Sequence, residues 1–327
     1  MLIMTENGLY CHAGDFYIDP SKKVARAVIT HAHSDHARKG SQQYYCTNSG
    51  ADLLKARLGE NISLLTFDYR RNFRIGKVDV SFYPAGHILG SSQIRIELNG
   101  EVWVVSGDYK REYDPTCEVF ESISCDVFIS EATFDTPSFC WDKNRHVGLK
   151  IYQWWTKNQF EGLNSVLYAY SLGKAQRILG ALRPFATKPI YCHPVTGQLN
   201  LCYRKQGIDL APTRCLKEAP MLSGDLILTP PSSFLKANPK INLGKYKTAF
   251  ASGWMKQCSN QYDRGFVISD HADWPDLLLT IQQSSAKKVF VLHRGSGALV
   301  KKLNSLGIKA YSDSVLFPKS PNQLSLF

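Results

Sequence analysis

The stretch Ile29-Thr30-His31-Ala32-His33-Ser34-Asp35-His36 packs three imidazoles and a carboxylate into six residues, directly after the apolar run Ala27-Val28-Ile29. That run reads as a buried strand. A strand ending in a tight turn directs His31 and His33 to one side. Asp35 and His36, one turn later on a nascent helix, then face a second point close by. Imidazole and carboxylate together suit zinc or a similar first-row ion. A lone ion does not need all four groups, so the two-and-two split points to a pair of divalent ions. The bland alternative is a loop that happens to be rich in histidine. The chain has nine histidines, and chance rarely gathers three of them beside an Asp in one hexapeptide.

Further candidate ligands stand at the ends of later apolar runs. Pro84-Ala85-Gly86-His87-Ile88-Leu89-Gly90-Ser91 sets His87 in a glycine-flanked turn, where the backbone can bend tightly. Ser106-Gly107-Asp108-Tyr109 ends a strand with a carboxylate, and Glu131 follows the run Asp126–Ser130 in the same way. Two lone histidines, His271 and His293, each close an apolar strand as well. A satisfied core role is the ordinary fate of a lone histidine, but the repeated strand-end placement argues for function.

The bulk numbers admit one large domain or two intimate ones: 327 residues, 44% hydrophobic and 20% charged. The net charge of +11, from 39 Lys+Arg against 28 Asp+Glu, favours polyanionic partners, nucleic acid first. Nine cysteines lie scattered without a C-x-x-C pair. With no signal-peptide pattern and no run long enough to span a bilayer, the expectation is a reducing cytoplasm, free thiols and no membrane. Cys192 and Cys202 read as packed thiols rather than metal ligands.

Taken in order, Leu9–Cys11 and Phe16–Ile18 read as short strands ending at Asp19-Pro20, where Asp19 by itself reads as a turn cap. Thr47 to Leu58 reads as an amphipathic helix capped by Thr47 or Ser49. Strands follow at Ile62–Thr66, Val78–Tyr83, Gln93–Leu98 and Glu101–Ser106, with Asn99-Gly100 as a hairpin turn. The aromatic-rich stretch after Glu131 lacks this regularity, and 133–264 reads as an inserted cap. Within it, Asn164–Tyr170 reads as a strand, Ala175–Leu182 as a helix and Thr248–Ser252 as a strand. Between the first two, Ser171, Gly173 and Lys174 form a glycine turn opening a helix, a plausible phosphate cradle. Lys236, Lys240, Lys245 and Lys247 make a basic loop, suited to a nucleic-acid backbone or simply to solvent. Beyond the cap, Phe266–Trp274 resumes the first pattern, Pro275 opens a helix through Gln282, Lys287–Leu292 is a strand and Ala298–Leu303 a helix.

The order His-x-His-x-Asp-His after a strand resembles the signature of the metallo-β-lactamase fold. A cap interrupting that core, followed by His271 and His293, resembles the β-CASP nucleases. The resemblance implies an α/β protein: an αββα sandwich over 1–132 and 265–317, a β-CASP cap over 133–264 and a tail over 318–327. It implies that Asp19 orients the histidine loop without binding metal. It further implies that His31, His33 and His87 hold one ion, that Asp35, His36 and His293 hold the other, and that Asp108 bridges both. The ions would be two Zn2+, with Mn2+ as the alternative. Two ions about 3.5–4 Å apart would hold a hydroxide that attacks phosphorus, while His271, positioned by Glu131, protonates the departing oxygen.

Tyr170-Ser171-Leu172-Gly173-Lys174 and Ser252-Gly253-Trp254 look like cap sequences of Artemis-type DNA repair nucleases. Gly14–Pro20 and Ser269–Trp274 look closer still to the bacterial DNA ligase-associated exonucleases. That likeness implies a repair exonuclease acting on single-stranded or end-containing DNA, with a DNA ligase or helicase as partners; the phosphate cradle at Ser171, Gly173 and Lys174 adds a preference for 5′ ends. His293 departs from the Artemis pattern and keeps an RNA-processing exo- or endoribonuclease as the alternative. The final residues Gln323, Leu324, Leu326 and Phe327 resemble a sliding-clamp-binding peptide, with an apolar pair for a groove and Gln323 for its rim. Folding back onto the chain's own core is the other reading of that tail.

Overall fold

The computed structural model describes residues 1–142, 146–218, 222–231, 243–256, 261–292 and 297–317. The chain forms two compact units, Met1–Glu112 with Cys117–Cys140 and His271–Phe327, and Tyr113–Thr116 with Trp141–Asp270.

The first unit begins with β1 (Leu2–Thr5), β2 (Gly8–Cys11), β3 (Phe16–Ile18), β4 (Arg26–Val28), β5 (Gln43–Thr47) and β6 (Leu64–Phe67), neighbours in that order in one sheet. It continues with β7 (Phe73–Ile75), β8 (Val78–Pro84), β9 (Ser92–Leu98), β10 (Glu101–Val105) and β11 (Val127–Ser130). The second unit carries β12 (Asn164–Tyr168), β13 (Ile190–Cys192), β14 (Thr213–Cys215), β15 (Leu226–Thr229), β16 (Tyr246–Ala251) and β17 (Arg264–Phe266). β18 (Lys288–Val291) and β19 (Lys309–Ser312) return to the first unit and complete a seven-stranded sheet ordered β19-β18-β11-β10-β9-β8-β7.

Alternation along the central strands explains the layers. Trp103 and Val105 of β10, Ile129 of β11 and Phe290 of β18 pack with Leu9, Phe16, Ile18 and Val28 of the other sheet. Val104, Phe128 and Val289, pointing the opposite way, pack with Leu277 and Ile281 of the helix Trp274–Gln283 and with Leu299 and Leu303 of the helix Ala298–Ser305. Strands buried on both faces read as unbroken apolar runs, which is why these were visible in the sequence. β10, β11, β18 and β19 run parallel, as do β3 to β6. Residues that follow these strands therefore gather along common sheet edges, where open α/β sheets bind ligands.

Asn99 and Gly100, both at positive φ (52° and 82°), make the expected hairpin turn. The helix expected from Thr47 begins only at Ala51, with Gly50 before it and no side-chain cap. Thr47 completes β5 instead, and its hydroxyl donates to the Gly90 carbonyl at 2.7 Å.

The second unit is a six-stranded parallel sheet ordered β14-β13-β15-β12-β16-β17. The helix Val147–Phe160 buries Ile151, Trp154 and Trp155, so the later part of the aromatic segment is regular helix, while Phe139 and Trp141 precede it outside any helix or strand. Phe266, expected to reopen the first unit, pairs with Ala251 in β17, and the chain leaves the second unit at Asp270. Among the described residues no helix is long and apolar enough to cross a membrane.

Candidate metal centre

The centre lies within the first unit and is built from strand ends. After β4, Ala32 and Ala37 are buried and hold the histidine loop down. His36 and Ala37 both donate backbone N–H to the His33 carbonyl, at 3.2 and 2.8 Å, so the segment is a single turn rather than the start of a helix.

Asp19, just past β3, sits at φ 44°, a left-handed conformation that Asp and Asn tolerate better than most residues. Its Oδ1 accepts the Thr30 N–H at 2.8 Å, and its Oδ2 accepts the Thr30 hydroxyl at 2.5 Å and lies 2.7 Å from His36 Nδ1. An ionised carboxylate only accepts, so His36 carries its proton on Nδ1 and turns Nε2 inward. The Thr30 hydroxyl spends its one proton on Asp19 and can only accept from His31 Nδ1, 3.0 Å away. His31 Nε2 is thereby also left as a lone pair.

His31 Nε2 and His87 Nε2 approach His33 Nδ1 to 3.1 and 3.0 Å. Asp108 Oδ2 stands 3.5 Å from His31 Nε2 and 3.6 Å from His87 Nε2. Its other oxygen stands 3.5 Å from His36 Nε2, which in turn lies 3.8 Å from Asp35 Oδ2. One carboxylate thus addresses two imidazole sets with separate oxygens.

Gly107 at φ +55° permits this approach. A Cβ there would lie 2.7 Å from the Thr30 Cβ, too close for any side chain.

Burial and the charges of His36, His87 and His33 push the His31 imidazole well below its usual range. Burial works against charge on His36 too, but the Asp108 and Asp19 carboxylates outweigh it and raise the group to about 10. Burial likewise disfavours ionised Asp108, yet the surrounding histidines, His36 foremost, hold it below the ordinary carboxylate range.

At the end of β11, Glu131 Oε2 accepts the Thr133 N–H at 2.6 Å, and Oε1 lies 3.3 Å from His271 Nδ1. His271 Nδ1 is also 3.9 Å from Asp108 Oδ2, and the Ala272 N–H donates to the Tyr109 carbonyl at 2.7 Å. Ligand atoms of His31, His33, His87 and Asp108 lie within 4.8 Å of one another, as do those of Asp108, Glu131 and His271. His31 Nε2 and His87 Nε2 lie about 3 Å from His33 Nδ1, with the His31 lone pair turned inward by Thr30, and this set fits a divalent cation. His36, held by Asp19 and charged without metal, would release its Nε2 proton to an ion.

The structure therefore gathers His31, His33, Asp35, His36, His87, Asp108, Glu131 and His271, with Asp19 behind them. His293, Lys236, Lys240 and the tail residues Gln323, Leu324, Leu326 and Phe327 lie outside the described residues.

The phosphate cradle is not formed as expected. The Gly173 N–H donates to Gln176 Oε1 at 2.8 Å, and Gln176 Nε2 donates to the Ser171 carbonyl at 3.0 Å. Lys174 is buried with its Nζ 3.0 Å from Asp270 Oδ2. Cys192 is buried in β13, where burial pushes its thiol up to about 12. Sequence reasoning missed Thr30, whose role rests on a hydroxyl proton that no spacing reveals.

A scan against models of known protein families finds no match. The chain is 28% identical over 313 residues to a protein of Opitutus terrae named a probable DNA ligase, covering 94% of this chain and 30% of that protein. It is 24% identical over 201 residues to an RNase J-like protein of Methanocaldococcus jannaschii, covering 54% of this chain and 48% of that protein. It is 27% identical over 186 residues to the endoribonuclease YSH1 of Gibberella zeae, covering 54% of this chain and 22% of that protein. The chain thus matches less than half the length of each of these relatives. A crystal structure of a protein of unknown function from Enterococcus faecalis V583 shares the fold at a TM-score of 0.53 and 12% identity, covering 81% of this chain and 74% of that one. The relatives named as endoribonuclease and RNase J-like agree with the resemblance of the histidine motif to the β-CASP metallo-β-lactamase nucleases.

Proposed function

We propose that this protein is a metal-dependent phosphodiesterase hydrolysing DNA, a repair exonuclease that works from 5′ ends. Its first unit is the αββα metallo-β-lactamase core and its second the β-CASP cap. The observation that carries the reading is Asp108, whose two oxygens face His31 with His87 and His36 separately.

His31, His33, His87 and Asp108 would hold one divalent ion; Asp35, His36, Asp108 and His293 would hold the second. Bound there, such ions supply Lewis acidity toward a phosphodiester and lower the pKa of water to ~7. Thr30 and Asp19 hold His31 and His36 with Nε2 inward. His271 keeps Nδ1 against Glu131, leaving Nε2 to deliver a proton to the departing sugar oxygen. The +11 charge draws in the polyanion. A relative named a probable DNA ligase favours DNA as the substrate; a ligase or helicase beside the protein, a sliding clamp on its tail and a cytoplasmic location complete the proposal.

RNA hydrolysis is the second reading, favoured by relatives named endoribonuclease and RNase J-like. The test is metal-stripped protein reloaded with Zn2+ or Mn2+ and given paired DNA and RNA single strands of one sequence, each blocked at either end. The proposal expects metal-restored mononucleotide release from DNA with a free 5′ end. Preference for RNA supports the second reading, and no hydrolysis of either strand by the reloaded protein sinks both. His271→Ala should keep its metal content and lose turnover; loss of both metals would make His271 a ligand instead.

A further inference from the structure

The second unit holds a buried charge network that the proposed mechanism leaves unused. Lys174 and Arg177, one turn apart on the helix Lys174–Leu182, meet Asp270 and Asp114, and all four side chains are almost wholly buried. Lys174 Nζ lies 3.0 Å from Asp270 Oδ2, and Arg177 Nη1 lies 4.0 Å from Asp270 Oδ1. Arg177 Nη1 also donates to the Ser269 carbonyl, while its Nε lies 3.7 Å from Asp114 Oδ2. Asp114 Oδ1 is occupied by the Thr116 N–H and hydroxyl, at 2.9 and 2.6 Å.

Among the described contacts two cations meet two carboxylates, and each ion out of water costs several kcal/mol unless paired. Such pairing is dear for stability alone, and a packed apolar cluster of the same volume often does as well. What the ions supply is direction: a guanidinium and an ammonium grip both the backbone and the side chain of Ser269-Asp270. The next residue along the chain is His271.

We propose that Lys174 and Arg177 are positioning residues that set the backbone approach to His271, and so the aim of its imidazole. This inference rests on His271 acting as proton donor. On one flank the Ala272 N–H holds to the Tyr109 carbonyl, and on the other the salt-bridged Asp270 fixes the preceding peptide. Lys174 thereby gains a role in place of phosphate binding: its ammonium is spent on Asp270 and on the face of Tyr170, 5.0 Å from the ring centre.

The test exploits leaving-group chemistry in the full-length, metal-loaded protein. Bis(4-nitrophenyl) phosphate expels a phenolate that needs no proton, whereas a DNA strand expels a sugar oxygen that does. The readout is the ratio of kcat on DNA to kcat on this ester, with metal content measured alongside. Lys174→Met should lower the ratio by ~10²-fold, the scale of misplacing a reacting group by about 1 Å, and Lys174→Arg should restore much of it. Lys174→Met with Asp270→Asn leaves no unpaired buried charge between these two partners, so it reports even where the single variant fails to fold.

Equal losses on both substrates, or an unchanged ratio, overturn the positioning role. His271→Ala judges the parent reading separately. A lowered ratio there beside an unchanged one in the Lys174 variants refutes only the network's role. No change of ratio in His271→Ala removes the proton donor itself.

Discussion

Asp19→Asn isolates what one carboxylate does for the centre. The replacement has the same shape, and Asn tolerates the left-handed φ of 44° as well as Asp does, so the backbone has no reason to move. The amide oxygen can still accept the Thr30 N–H now held at 2.8 Å. The amide nitrogen takes the place of Oδ2 and brings two hydrogens towards Thr30 Oγ1 and His36 Nδ1, which at present both donate to it. His36 can accept on Nδ1 only by moving its proton to Nε2, the atom that faces Asp35 and Asp108. A protonated Nε2 cannot ligate a metal. Loss of such an outer hydrogen bond costs ~10–100-fold in metal affinity, or about 1.4–2.8 kcal/mol. The Thr30 hydroxyl, no longer donating to a carboxylate, can turn its proton to His31 Nδ1, so both sets of ligands should weaken. Competition with a chromophoric chelator should show both ions held less tightly, and the metal-free protein should melt lower because His36 loses one of the carboxylates that hold its charge. Two ions bound at wild-type affinity would refute the tautomer argument.

The remaining expectations can be checked on the same protein. In the metal-free protein the His36 pKa is raised from 6.5 to about 10, so its stabilisation is complete below pH 6.5 and lost as the pH climbs through 10. Thermal melts of chelator-treated protein should fall across that window, and a flat profile would contradict the pairing with Asp108 and Asp19. Gly107→Ala should destabilise by roughly 2–5 kcal/mol, from a positive φ and the collision with Thr30, and should weaken metal binding as well. A variant that melts and binds metal normally would show that the turn has room to spare. Native alkylation should reach exposed Cys140 well before buried Cys46 and Cys192, whose thiols are pushed up to about 12 by burial. Peptide mapping that finds Cys192 labelled first would contradict its burial.

Reading the chain alone succeeded where a local pattern and the tertiary environment agree. The runs Val102–Val105, Val127–Ile129 and Val289–Val291 are apolar throughout because each strand is buried on both faces, so no partner needs to be known to see them. It failed where the deciding partner is distant. Thr47 looks like a helix cap and does accept the Gly50 N–H at 3.1 Å, but it ends β5 and its proton goes to the Gly90 carbonyl, 43 residues on, so the helix starts only at Ala51. The helix Val147–Phe160 and the three-residue strands β13 and β14 gave no strong periodic signal.

Chemistry written into a short segment belongs to the residues themselves: three imidazoles and an Asp in six positions are donor atoms in any fold. Their use does not. Which nitrogen of His36 keeps its proton depends on Asp19, and whether Lys174 meets a phosphate or Asp270 depends on a residue far along the chain. Composition and spacing determined which groups could bind a metal, because that is a property of atoms. Only the folded chain decided tautomer, charge pairing and aim, because these are set by neighbours that the backbone brings together across long loops.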